Sequence, residues 1–362
     1  MKIIHVINRC SIANGAAKLL LDLIPYQISQ GHDVRVLALA DVTPSYKDHF
    51  EQIGCKYEVL LKEGKSLLSV SLLFLIKNKI SSYDIVHAHL FPSFYWVALI
   101  KLLFKTKYKL VYTEHSPENN RRRKWLLPIE RLIYRKYNAI IAISDIVKEN
   151  LLNYLKIDLP IYVIFNGINN QLYERALPIN KTDINIPQDS FIITQVSRFG
   201  PEKDQMTLIK TMKLLPENIH LVLVGHGPLY DKHIKTVNQL HLENRIHFLG
   251  IRNDIPQILK MSDIVVLSSH FEGFGLAAVE GMAARKPVIA SNVPGLQNVV
   301  HGAGLLFEKY DTTQLKNHIL KLIKDKRFYD EIAYQCYNRS LKFEIRQVAK
   351  EYEQIYNNLF NE

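Results

Sequence analysis

No run in this chain is long and apolar enough to cross a membrane as a helix. The longest, Leu67 to Ile76, falls well short of the ~20 residues a span needs. Cysteine is scarce: Cys10, Cys55 and Cys336 have neither disulfide-framework nor zinc-site spacing, which favours a reducing compartment. The opening Ile3-Ile4-His5-Val6-Ile7 is too short for a signal-peptide core and is stopped by Asn8-Arg9, so a cytoplasmic location is expected. The zinc, helix-turn-helix and RNA-binding motifs that would make nucleic acid the expected partner are missing. Gly225-His226-Gly227-Pro228 lacks the third glycine of a dinucleotide fingerprint, which excludes NAD there. No Asp-x-Asp metal motif occurs.

Against these absences stand a length of 362 residues, 48% hydrophobic and 22% charged residues. Such a chain builds globular structure, and its length suggests two domains. The net charge of +11 is uneven: residues 1–180 hold 24 Lys and Arg against 15 Asp and Glu. An anionic membrane surface is the partner this basic half suggests, with Arg121-Arg122-Arg123-Lys124 beside Trp125-Leu126-Leu127 as one contact. The lysine-flanked segment from Lys65 to Lys79 is another, either lying in an interface or packing as an ordinary core helix.

Ser268 to Glu280 reads as the organising stretch. Ile264-Val265-Val266-Leu267 has the length and branching of a buried strand, and the residues from Leu276 to Ala284 are mostly helix formers. A strand, a glycine-spaced loop and a helix place backbone N–H groups and the positive end of a helix dipole together, which suits a phosphate. Gly273 and Gly275 permit close approach or positive φ. Glu272 and Glu280 bracket the loop, and carboxylates there suit sugar or ribose hydroxyls better than a phosphate. Earlier, Ser197-Arg198-Phe199-Gly200-Pro201-Glu202-Lys203 puts two cations five apart on a loop after a strand, fitting a diphosphate.

Glu272, Phe274, Gly275, Leu276 and Glu280 resemble, residue by residue, the E-x7-E signature of retaining glycosyltransferases of family 4. Arg198 and Lys203 are similar to that family's R-x4-K, Gly225 to Pro228 to its G-x-G-P, and Asn14-Gly15-Ala16-Ala17 to its first glycine loop, with Asn14 replacing a glycine. The resemblance implies an α/β chain of two facing doubly wound, Rossmann-like domains of the GT-B type, with an interdomain cleft and a C-terminal crossover helix. It implies retaining transfer of a sugar from a UDP- or GDP-sugar to a carbohydrate or lipid-linked acceptor, without a metal cofactor. The setting would be cell-surface polysaccharide or glycolipid synthesis at the inner face of the membrane. His115, in a T-x-H motif past a strand end, and Glu272 are implied as catalytic. Gly15, Arg198, Lys203, Phe274, Gly275, Leu276 and Glu280 are implied as donor-binding.

His87 and His89 stand two apart at a strand end and face the same way, a geometry a metal can use, but no convincing further ligands accompany them. The family often has H-x-H there. Expected boundaries are an acceptor-side domain at 1–170, a linker at 171–187, a nucleotide-sugar domain at 188–343 and a returning helix at 344–362. Asn14, Arg285 before Lys286-Pro287, and Asn298 where a Glu is common depart from the family pattern. They keep open a catalytically inert sugar-nucleotide-binding subunit, beside an epimerase or phosphorylase of the same architecture.

Overall fold

The computed structural model describes residues 1–12, 14–117 and 122–361. They form two compact units: Met1–Gly167 together with the chain from Ile345 onward, and Ile168–Glu344. The first unit holds β1 (Lys2–Ile7), β2 (Asp33–Ala40), β3 (Lys56–Leu61), β4 (Ile85–His89), β5 (Lys109–Glu114), β6 (Ala139–Ala142) and β7 (Ile161–Val163). The second holds β8 (Phe191–Val196), β9 (Ile219–Val224), β10 (Ile246–Gly250), β11 (Ile264–Leu267), β12 (Val288–Ser291) and β13 (Leu305–Phe307).

Each unit is one parallel sheet. The first runs β3-β2-β1-β4-β5-β6-β7 and the second β10-β9-β8-β11-β12-β13. Helices joining successive strands cover both faces, so central strands such as β4, β6, β9, β11 and β12 are buried along their whole length. The strand order reverses between β1 and β4 and again between β8 and β11, where doubly wound sheets open to receive a ligand. This is the α/β, two-domain architecture the family resemblance implies.

The segment expected to link the domains belongs to the second unit. Residues 170–174 form a short helix that buries Tyr173, and Ile186 packs with Ile192, Val222 and Ile258. Its apolar anchors come singly between polar residues, so no period marked it. The chain instead leaves the first unit at Gly167, where a Cβ would sit 2.9 Å from the Val348 side chain.

The helix Ile345–Asn361 closes the first unit. It buries Val348, Tyr352, Ile355, Tyr356 and Leu359 against Leu19, Leu20, Leu23 and Ile24 of the helix Gly15–Ser29. Two polar ties fix it: Glu353 bonds His32 at 2.8 Å, and the Tyr356 hydroxyl bonds His87 Nδ1 at 2.5 Å. The three thiols are also core groups, and burial pushes each up to about 12. Because the terminal helix completes the hydrophobic core of the first unit, Ile355→Ala is expected to cost about 2–5 kcal/mol of stability in urea unfolding. A loss below roughly half a kcal/mol would show that the core does not depend on this helix.

Candidate functional site

In the second unit the loops leaving β8 and β11 lie side by side at the reversal of the sheet. The backbone joins them directly: Asp204 N–H donates to the Ser268 carbonyl at 3.1 Å, and His270 N–H donates to the Glu202 carbonyl at 2.9 Å. Ser268 Oγ, fully buried, adds contacts to Gln195 Oε1 at 2.8 Å and the Asp204 carbonyl at 2.7 Å. The first loop is braced from its other side by the turn after β9. Phe199 N–H donates to the His226 carbonyl, and Leu229 N–H returns to the Phe199 carbonyl. Gly225, at φ +127, leaves no room for a side chain, since a Cβ would lie 2.1 Å from the Ser197 carbonyl oxygen.

This scaffold brings Lys203 against Glu272, whose carboxylate also accepts from Ser269 Oγ at 3.0 Å. Both partners of the ion pair are largely sheltered from solvent, so water screens it less than a surface pair. Arg198 is the outer cation of the loop, half exposed and 3.6 Å from Glu202. A diphosphate-sized anion would therefore meet one sheltered cation held by Glu272 and one half-exposed cation loosely paired with Glu202.

The loop after β11 ends at Gly275, which takes φ +95 as the N-cap of the helix Leu276–Ala283. Only glycine adopts that conformation at no steric cost. The first turn directs N–H groups without intrahelical partners toward the loop. Phe274 is buried edge-on to Phe343, with ring centroids 5.1 Å apart, so a role in binding a ligand falls to its backbone. Leu276 opens the helix, half-buried. Glu280 is buried on the same helix and accepts from the Tyr173 hydroxyl at 2.7 Å. Sequence reasoning missed Tyr173, which lies 107 residues away on the supposed linker and carries no motif. It also passed over Gly295, where a Cβ would lie 2.2 Å from the Glu272 carbonyl oxygen, so the next helix start fixes the height of the glutamate loop.

The two departures in this unit have local explanations. Arg285 takes φ +64, the backbone region that makes glycine common at such a turn. Its guanidinium bonds Glu174 at 2.8 Å and lies over the Tyr337 ring. Asn298 is exposed on the helix Pro294–Val300.

Gly15 and His115 stand on the first unit. Gly15 opens the helix Gly15–Ser29, and just before it stands Asn14, which replaces a glycine of the family loop. It is an extended N-cap whose side chain accepts from Ala16 N–H at 2.9 Å, the common use of Asn at a helix start. His115 follows β5 and donates to or accepts from His89 Nδ1 through its Nε2, at 3.2 Å.

His87 and His89 do share one face, and β1 adds His5, register partner of His87. The ring atoms of His5, His87 and His89 approach one another closely enough for a metal. Yet all six of their ring nitrogens already have partners. His5 meets Gln27 and His89, His87 meets Tyr356 and Thr113, and His89 meets His5 and His115. A cation would have to break that network. Burial lowers His5 to about 4 and His115 to about 3, and holds His87 and His89 well below the usual range, where neighbouring rings lower them further. All four are neutral at pH 7.

Comparison with known proteins gives this geometry a family. Residues 13–172 match the family model described as Glycosyltransferase Family 4, and residues 178–339 match Glycosyl transferases group 1. A relative from Escherichia coli, UDP-Gal:alpha-D-GlcNAc-diphosphoundecaprenol alpha-1,3-galactosyltransferase, is 31% identical over 78% of this chain and 76% of its own. The N-acetyl-alpha-D-glucosaminyl L-malate synthase of Bacillus anthracis is 27% identical over 75% and 74%. Among solved structures, Anabaena Alr3699/HepE in complex with UDP and glucose superposes with a TM-score of 0.86 at 24% identity, covering 99% of this chain and 100% of that one. Sucrose-phosphate synthase from Thermosynechococcus elongatus reaches 0.81 at 21% identity over the full length of both. The chain belongs to the GT-B glycosyltransferases of the family 4 type and is a glycosyltransferase.

Proposed function

We propose that the enzyme is a retaining glycosyltransferase that takes a sugar from a nucleotide diphosphate donor, UDP-linked in the first instance, and places it on a lipid-linked saccharide acceptor. The observation that carries this reading is the pairing of the Arg198–Lys203 loop with the Glu272–Leu276 loop at the reversal of the second sheet. Breaking the anomeric C–O bond sends its electron pair to the diphosphate. Lys203, Arg198 and the N–H groups that open the helix Leu276–Ala283 meet that growing charge, so the step needs no metal ion. Glu272, released from Lys203 as the diphosphate takes the cation, supports the positive anomeric centre. The acceptor hydroxyl attacks on the face the leaving group vacates, and its proton passes to a phosphate oxygen of the departing diphosphate. Glu280 binds the ribose hydroxyls, with Tyr173 holding one carboxylate oxygen, and His115 serves the sugar. The names of the Escherichia coli relative and the Anabaena complex support the uridine donor, and the former also supports the acceptor class.

The acceptor class makes a membrane surface the working place, and the first unit has the means. The helix Ser71–Ile80 buries Leu72, Leu73, Ile76 and Ile80 as a core helix does, while Phe74 is 56% exposed. Leu103 is 60% exposed and Trp125 69% exposed, on segments packed in series with that helix. Lys65, Lys105, Lys107 and Lys124, on or next in sequence to these segments, are exposed. Of the arginine run, Arg121 lies outside the described residues and Arg122 folds back on the Ser116 and Pro117 carbonyls, so it is not available to lipid. The surface therefore rests more on exposed apolar groups and lysines than on the arginines. No helix is long and apolar enough to cross a membrane among the described residues.

Two outcomes are expected. Lys203→Ala and Arg198→Ala each lower UDP release from the productive UDP-sugar by roughly 2–4 kcal/mol of transition-state stabilisation. Wild-type turnover in both variants would overturn the diphosphate assignment, and a bound donor with no turnover in the wild type would favour an inert subunit. The second outcome concerns vesicles of phosphatidylglycerol. The enzyme co-sediments with them, added salt releases it, and Trp125→Ser with Leu103→Ser weakens the binding severalfold. Absence of binding at low ionic strength would favour a soluble acceptor.

A further inference from the structure

Four residues of the first unit form a hydrogen-bonded line that ends at His115. His5 Nε2 lies 2.9 Å from Gln27 Oε1, His5 Nδ1 lies 3.1 Å from His89 Nε2, and His89 Nδ1 lies 3.2 Å from His115 Nε2. An amide oxygen has lone pairs and no proton, so the hydrogen in the first contact must sit on His5 Nε2. A neutral imidazole carries one N–H, which leaves His5 Nδ1 an acceptor and makes His89 Nε2 the donor to it. The same step repeats along the line. His89 Nδ1 is then an acceptor, His115 Nε2 donates, and His115 Nδ1 is left with its lone pair.

The inference requires neutral rings, and desolvation provides them: His5 is lowered to about 4 and His115 to about 3, with His89 well below its usual range. His87 packs against the line, but its two nitrogens face Tyr356 and Thr113. Gln27 is buried within the helix Gly15–Ser29, where an apolar residue would pack more cheaply than an amide. Its place in the core is accounted for by the proton it positions.

We propose that Gln27, acting through His5 and His89, fixes the tautomer of His115 so that Nδ1 presents a lone pair, accepting a hydrogen bond from a sugar hydroxyl and never donating one. This deepens the reading of His115 as the residue that serves the sugar, and it rests on that reading for its use in catalysis. Gln27, His5 and His89 are positioning residues, acting at a distance from the sugar through one ring after another. The arrangement extends to a line of three rings the way an oriented partner selects the tautomer of a single histidine.

The test is a long-range proton–nitrogen correlation spectrum of the full chain labelled with nitrogen-15 histidine, which separates protonated from unprotonated ring nitrogens. His115→Asn identifies the His115 signals. In the wild type between pH 6 and 8, His115 is expected as neutral Nε2–H with Nδ1 bare, as are His5 and His89. Gln27→Leu removes the terminal acceptor and should turn the His115 signals into averages of both tautomers. A wild-type His115 protonated on Nδ1, charged or already averaged overturns the proposal, as does an unchanged His115 pattern in Gln27→Leu. So does zinc retained one-to-one after chelation, since it would take the nitrogens of the line. If Gln27→Leu does not fold, the wild-type spectrum decides alone. The spectrum does not depend on sugar transfer, so failure of the tautomer and failure of the transferase reading are told apart.

Discussion

A parallel sheet that grows outward in both directions from one strand must carry its connections over opposite faces. At the strand where the direction changes, two neighbouring loops therefore part. Everything chemical in the second unit depends on that divergence between β8 and β11. The loops are not left to find each other: their backbones exchange hydrogen bonds, Gly225 and Gly295 allow neighbouring backbone to press in, and Lys203 rests on Glu272. The same reversal between β1 and β4 brings His5 and His87 into register in the first unit.

The Lys203–Glu272 contact illustrates how such a site stays soluble and folded before it meets substrate. Two opposite charges withdrawn from water cost free energy unless paired, and pairing them with each other answers the cost while keeping both in place. A ligand bearing a diphosphate beside a sugar offers each charge a new partner at once. On the proposed reading, anions without the sugar would offer a partner to the lysine alone, and the pair would favour the complete donor.

The architecture was largely legible because buried parallel strands are written as short, branched apolar runs such as Ile264-Val265-Val266-Leu267, and their alternation with helices is coarse enough to survive small errors. The loops carrying Arg198, Lys203 and Glu272 were legible because glycine and charge are conspicuous after a strand. What escaped lies in long-range pairing. Tyr173 reaches Glu280 from a segment with no period, and His5 joins His87 only because β1 and β4 are neighbours. Asn14, a departure from the family's glycine loop, is explained by its conformation: extended and accepting from Ala16 N–H, it caps the helix, which the letter alone does not show. Arg121 to Lys124 looked like one basic patch, but the Arg122 side chain folds back onto the Ser116 and Pro117 carbonyls, which a string of like letters cannot show.

The buried cysteines carry a practical corollary. All three thiols are enclosed and held far from the thiolate form, and the thiolate is the species that alkylating and maleimide reagents attack. Burial thus withholds all three thiols from such reagents in the folded chain. One cysteine introduced on the surface would become its single reactive handle, so a fluorophore or spin probe can be attached at a chosen position without first stripping the protein of its own sulfur.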